Sequence, residues 1–155
     1  MGIKIERLNE TGIRLYYTEI IEYYFSNIKL CNYLETFTYE DAKAKIDSLI
    51  NHQRNGDAIV FGAINEDKSI CGYIWAYKYR YREENRVYIN EIRVSEEYRK
   101  RGVATKLISA VEKVANEIGV QAVYIHAEGD NKKAQNLYIK EGYNIERIQL
   151  RKQIK

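Results

Sequence analysis

The chain has 155 residues, 45% hydrophobic and 30% charged, a length and mixture that suit one domain with a sizeable core. A net charge of only +3 excludes a strongly basic nucleic-acid binder and an acidic solvating tail, so any anion site must be local. No run of about 18 apolar residues is present, and the opening "MGIKIERLNE" lacks an apolar signal-peptide core, which leads to the expectation of a cytoplasmic protein with no membrane partner.

Apolar residues from Ile13 to Leu30 recur at mixed helical spacing. "TYEDAKAKIDSLINHQ" offers Thr38 as N-cap with Asp41 three residues on. Two early helices are therefore expected, the second closed by Gly56. "AIVFGAI" (Ala58 to Ile64) and "ICGYIWAYKYRY" (Ile70 to Tyr81) flank the turn "NEDKS" and read as a hairpin. The polar stretch "REENR" connects it to "VYINEIRV" (Val87 to Val94), a third strand. A helix from Val103 to Ile118, a strand from Ala122 to Ala127, a helix from Lys132 to Glu141 and a last strand from Tyr143 to about Leu150 complete the order ααβββαβαβ.

In "VYINEIRV" the apolar alternation slips phase, with Val87 and Ile89 at odd positions and Ile92 and Val94 at even ones. A bulge across Asn90 and Glu91 produces such a slip, because one extra residue re-aims the side chains beyond it. A strand buried on both faces would also break the alternation. The helix from Val103 has a clear stripe, Val103, Leu107, Val111, Val114 and Ile118, and Gly119 to stop it.

Arg99, Lys100 and Arg101 stand where that helix starts. A helix start carries unpaired N–H groups and the positive end of the dipole, so extra cations there raise the electrostatic cost unless an anion binds. Gly102 and Ala104 leave room for a ligand to approach the main chain. N–H groups from Lys100 through Val103 to Thr105 can converge on an anion, with Lys106 close behind. Neither GK[ST] nor G-x-G-x-x-G is present, which excludes the P-loop and the dinucleotide fingerprint.

Arg99-x-x-Gly102-x-Ala104 is followed by "DNKKAQNLYIKEGY", in which Asn131, Ala134, Leu137, Tyr138, Gly142 and Tyr143 stand at fixed spacing. From about Val87 to Tyr143 these motifs resemble, in order and spacing, the GNAT superfamily of acetyl-CoA-dependent N-acetyltransferases. The resemblance implies one N-acetyltransferase domain over residues 1–155. Its fold would be an α/β one, with a mixed, mostly antiparallel sheet flanked by helices. Acetyl-CoA is the implied cosubstrate, with the pyrophosphate at the basic turn and the pantetheine arm on main-chain groups of Ile92, Arg93 and Val94. Asn131, a plain N-cap by position, can in this family also touch the cofactor. Glu91 becomes the candidate base. An unperturbed glutamate is too weak for an amine that is neutral at pH 7 only about once in 2,500 molecules, so burial must raise its pKa. Tyr138 becomes the candidate donor to the departing thiolate. No activated nucleophile such as G-x-S-x-G is present, so transfer is expected to be direct.

The acceptor expected is a primary amine of a small molecule. A protein lysine or N-terminus, or a non-catalytic acetyl-CoA sensor, are the alternatives, and nucleic acid is not expected. Dimers are common in the family, so a homodimer is compatible with the sequence. Cys31 and Cys71 form no CxxC, and His52 and His126 complete no ligand spacing; reduced thiols and no metal are expected. Tyr73, Trp75, Tyr77, Tyr79 and Tyr81 alternate along one strand face. That ladder is either an acceptor surface or the floor beneath a packed helix, and the enrichment to 15 tyrosines is equally open between a coding bias and a binding surface.

Overall fold

The computed structural model describes residues 2–30 and 36–155, and Cys31 lies outside them. By its contacts the chain divides into two compact units, Met1–Ile125 and His126–Lys155. In the first, strand β1 (Lys4–Arg7) precedes helices α1 (Glu10–Leu15), α2 (Tyr17–Leu30) and α3 (Tyr39–Arg54). Strands β2 (Ala58–Ile64), β3 (Ile70–Tyr81) and β4 (Glu84–Val94) follow, then a short 3₁₀ turn, helix α4 (Val103–Glu117) and strand β5 (Val123–Ile125). The five strands form one sheet in chain order. Its first three pairings are antiparallel, and β4–β5 is parallel.

Local chemistry explains several boundaries. Thr38 and Asp41 form the expected capping box, with Thr38 Oγ1 accepting from the Asp41 N–H at 3.1 Å and Asp41 Oδ2 accepting from the Thr38 N–H at 2.8 Å. Asn9 caps α1, and Tyr16 ends it, so the first expected helix is two. Gly119 follows α4 at φ 77°, the left-handed conformation that ends a helix without a Cβ penalty. The β3–β4 connection is tighter than "REENR" suggests. Arg82 and Glu83 alone turn the chain, at φ 46° and 68°, and Glu84 already pairs with Tyr81.

The two faces of β3 do different work. Its even-numbered positions pair with Val87, Ile89, Ile92 and Val94 of β4, and α4 packs on the sheet through Val103, Leu107, Ile108, Val111, Val114 and Ala115. The odd face, with Tyr73 and Trp75 fully buried, joins Ile13, Ile20, Ile21, Ile46, Leu49 and Ile50 from α1 to α3 in one core. That part of the tyrosine ladder is therefore the floor beneath packed helices. Burying each such side chain contributes about 1.5–3 kcal/mol before entropy is counted.

Strand β1 was absent from the sequence-based expectation, and the strand expected from Tyr143 to Leu150 does not form. Residues 143–150 carry no regular structure, with Ile145 and Ile148 each 74% exposed. Strand propensity stabilises little without a ladder partner, and within its own unit that segment has only helix α5 (Lys132–Lys140) for company.

Candidate active site

The phase slip in β4 is a bulge. Trp75 pairs with Glu91 and Ala76 with Ile89, so Asn90 is the extra residue. Asn90 Oδ1 accepts from the Trp75 indole N–H at 3.0 Å, which ties the bulge to β3. The insertion keeps all four apolar residues of β4 on the α4 face. It also places Glu91 opposite Trp75 and Arg93 opposite Tyr73 on the aromatic face, against α2 and α3. The parallel ladder from β5 reaches only Val87, Tyr88 and Ile89. Past the bulge β4 has no β5 partner, so one edge of the main chain from Ile92 to Val94 has no ladder among the described residues.

Glu91 is partly buried, and Asn27 of α2 donates to its Oε1 at 2.7 Å. Arg93 Nη1 in turn donates to Asn27 Oδ1 at 3.3 Å, and the Arg93 guanidinium lies 5.6 Å from the Tyr23 ring centroid. Burial pushes the Glu91 carboxyl up to about 7, against the opposing pull of the Asn27 hydrogen bond and of the Arg93 and Lys45 charges. Such a carboxyl is close to half ionised at neutral pH, the condition that suits a general base. Tyr73 Oη and Arg93 Nε are buried there without hydrogen-bond partners among the described residues. Burial also holds the Tyr73 hydroxyl well above its ordinary pKa.

Beyond Val94 the chain passes through the 3₁₀ turn Glu96–Tyr98 into the basic segment. Gly102 is the N-cap of α4 at φ 75°, no side chain caps the helix and no acidic residue stands in its first turn. A Cβ placed on Gly102 would meet nothing within 4 Å, so open space faces the helix start. Lys100 is also left-handed, at φ 60°. The cations differ in freedom. Arg99 Nε donates to the Val94 carbonyl at 3.0 Å and its Nη1 lies 3.8 Å from Glu96, whereas Arg101 packs 5.4 Å from the Tyr98 ring centroid. The Val103 side chain is buried, so only its main chain can serve a ligand.

In the second unit Asn131 caps α5, its Oδ1 accepting from the Ala134 N–H at 3.2 Å. Tyr138 is buried on this helix, its ring 6.2 Å from that of Tyr143.

Asn27 and Lys45 escaped the sequence reading. Lys45, on α3, sets its ammonium 5.6 Å from the Tyr77 ring centroid. A signal for Asn27 exists, since it follows Ile20, Tyr23 and Tyr24 at helical spacing and so puts a lone amide on the inward face of α2. Among the described residues no group of side chains could hold a metal ion, and no helix is long and apolar enough to cross a membrane.

Sheet order, bulged β4 and uncapped helix start agree with the architecture expected of an acyl-transferase of this kind. The chain belongs to the Acetyltransferase (GNAT) family, whose sequence model matches residues 18–143. It is thus an acetyltransferase domain that uses acetyl-CoA. Over 83% of its length it is 25% identical to an uncharacterized N-acetyltransferase, YdgE, of Bacillus subtilis, across 82% of that protein. A shorter match, 40% identical over 65 residues, covers 42% of the chain and 40% of the D-amino-acid N-acetyltransferase HPA3 of Saccharomyces cerevisiae. In fold it is similar to an aminoglycoside acetyltransferase from an uncultured soil metagenomic sample, solved with sisomicin, at a TM-score of 0.76 and 21% identity over 99% of this chain and 97% of that one.

Proposed function

We propose that the protein transfers the acetyl group of acetyl-CoA directly to a primary amine of a small molecule, with Glu91 as base. The observation that carries this reading is the coincidence at Asn90. The bulge turns Glu91 onto the aromatic face of the sheet at the point where β5 leaves the edge of β4. Acetyl-CoA supplies an activated acyl group. The chain supplies N–H groups from Lys100 to Thr105 for the pyrophosphate, Lys100 and Arg101 as nearby cations, and the unladdered edge from Ile92 to Val94 for the pantetheine amides. Asn131 is a further cofactor contact in this reading.

The amine attacks the thioester carbonyl, a C–N bond forms and the C–S bond breaks. The proton leaving the amine passes to Glu91, directly or through water, and a main-chain N–H near Ile92 stabilises the developing oxyanion. Tyr138 hydrogen-bonds to the departing thiolate and delivers a proton to it.

Coenzyme release measured against amino acids, amino sugars, aminoglycosides, polyamines and peptides tests the proposal. Turnover of a small amine supports it, and turnover of peptides alone moves the function to protein acetylation. A rise in Tm with acetyl-CoA but no release with any amine points to a sensor. A rise with ATP or NAD but none with acetyl-CoA overturns the cofactor assignment.

A further inference from the structure

The side chains around Glu91 carry an excess of positive charge. Lys45 is half-buried over Tyr77 and has no ion-pair or hydrogen-bond partner among the described residues. Tyr77 is two residues from Trp75 on the same face of β3, about 7 Å along the strand, and Trp75 pairs with Glu91. Lys45 and Glu91 therefore stand along one short stretch of the aromatic face, near enough for the Lys45 charge to act on the Glu91 carboxyl. Among the described residues Arg93, beside Glu91, makes its one side-chain hydrogen bond to a neutral amide, and its Nε is buried without a partner.

Of the three acids of α3, Glu40 is exposed in the first turn and the other two are engaged elsewhere. Asp41 closes the helix cap, and Asp47 accepts from the Tyr17 hydroxyl at 2.5 Å. One carboxylate, that of Glu91, and two cations, Lys45 and Arg93, thus lie along this stretch of the aromatic face. A half-buried ammonium that loses water and gains no anion is unfavourable, and an aromatic face compensates only in part. A polycationic acceptor would bring further positive charge into this surplus.

We propose that the acceptor amine also carries an anionic group, a carboxylate or a phosphate, and that Lys45 binds this group while Glu91 faces the amine, with Arg93 adding positive charge on the other side of Glu91. Amino acids and phosphorylated amino sugars are the classes that fit. Aminoglycosides and polyamines do not, despite the fold shared with an aminoglycoside acetyltransferase. The inference rests on the acetyltransferase reading and deepens it by specifying the charge pattern of the acceptor.

The test compares amines with and without the anion, each kcat/KM referred to the neutral-amine fraction of its acceptor, using the full chain, acetyl-CoA and coenzyme release. The pairs are amino acids against their carboxamides and glucosamine 6-phosphate against glucosamine, with spermidine and an aminoglycoside as polycations. The anionic member of at least one pair should show a kcat/KM about 10-fold or more above its neutral partner, the scale of one charge-assisted contact. The pair that responds identifies carboxylate or phosphate. Lys45→Gln should bring that ratio close to one, mainly through KM, and Lys45→Glu should turn the preference toward cations. Both variants should keep the Tm rise with acetyl-CoA, which shows that they fold and bind the cofactor. A wild-type preference for polycations or neutral amines, or a ratio unchanged in both variants, overturns this inference and leaves the acetyltransferase reading standing. No turnover of any amine removes both.

Discussion

Asn27 Nδ2 lies 2.7 Å from Glu91 Oε1, and the same amide accepts from Arg93 through Oδ1 at 3.3 Å. A guanidinium only donates, so Arg93 fixes which way the amide points: its oxygen faces the arginine and its NH₂ is left for the carboxylate. The pair therefore opposes the upward push that burial exerts on Glu91. Asn27→Ala should move the acidic limb of the kcat/KM profile upward by about 0.5–1 pH unit, since a hydrogen bond to a charged group is worth about 1 kcal/mol or more. Asn27→Gln, if the longer amide reaches both partners, should restore part of that shift. A lower rate with an unmoved limb would mean that Asn27 only supports packing.

Stability should record the same carboxyl. The folded-state pKa of Glu91 is raised to about 7 from 4.5, so between those values the folded chain holds a proton that the unfolded chain has lost. Stability from this group is present at low pH and declines as pH rises toward 7, where burying the charge becomes unavoidable. Glu91→Gln removes the titration and can still accept from Asn27. Relative to the wild type it should gain about 2 kcal/mol between pH 5 and pH 8, several degrees in Tm for a chain of this size. A Tm difference that stays constant with pH would show that Glu91 titrates normally.

The bulge could be read in the sequence because it reconciles two incompatible alternations, and its position at Asn90 follows from where they meet. Thr38, Asp41 and the α4 stripe from Val103 to Val114 were legible for a similar reason, as capping and amphipathicity are written in neighbouring residues; Ile118, read as the end of that stripe, is instead the C-cap and 43% exposed. Strand β1 was not, being four residues long with only Ile5 as an apolar anchor. Residues 143–150 misled in the opposite direction, because β-like composition does not supply a partner. Lys45 belongs to the site through tertiary packing, which no local period encodes, whereas the helical period places Asn27 on the inward face of α2 without naming Glu91 as its partner. The tyrosine ladder could be seen but not apportioned; only burial separates Tyr73 and Trp75, in the core, from the half-exposed Tyr77, Tyr79 and Tyr81.

At the basic turn, strain and charge can be separated with two substitutions. Gly102 is left-handed with free space at its Cβ position, so Gly102→Ala should cost about 1 kcal/mol of stability through φ alone and leave much of the Tm rise with acetyl-CoA. Gly102→Glu adds a negative charge where the pyrophosphate is proposed to sit and should abolish the rise. Equal rises in both variants would place the cofactor elsewhere.

Glu91 and Tyr138 are assigned opposite ends of one reaction, and their pH dependence should separate them. If Glu91 starts the deprotonation, Glu91→Gln should lower the rate most near neutral pH and progressively less under alkaline conditions, where solution already supplies neutral amine. Tyr138→Phe removes the donor to the leaving thiolate. It should reduce kcat by about 10-fold or more with acetyl-CoA affinity nearly intact, and raising the pH should not restore the rate. An acyl donor with a better leaving thiol should restore part of it, because a less basic thiolate needs less help to depart. A uniform loss across pH in Glu91→Gln would reduce that residue to positioning the amine. Unchanged kcat in Tyr138→Phe would remove the leaving-group assignment, provided no pre-steady-state burst of product shows that release, rather than chemistry, sets the rate.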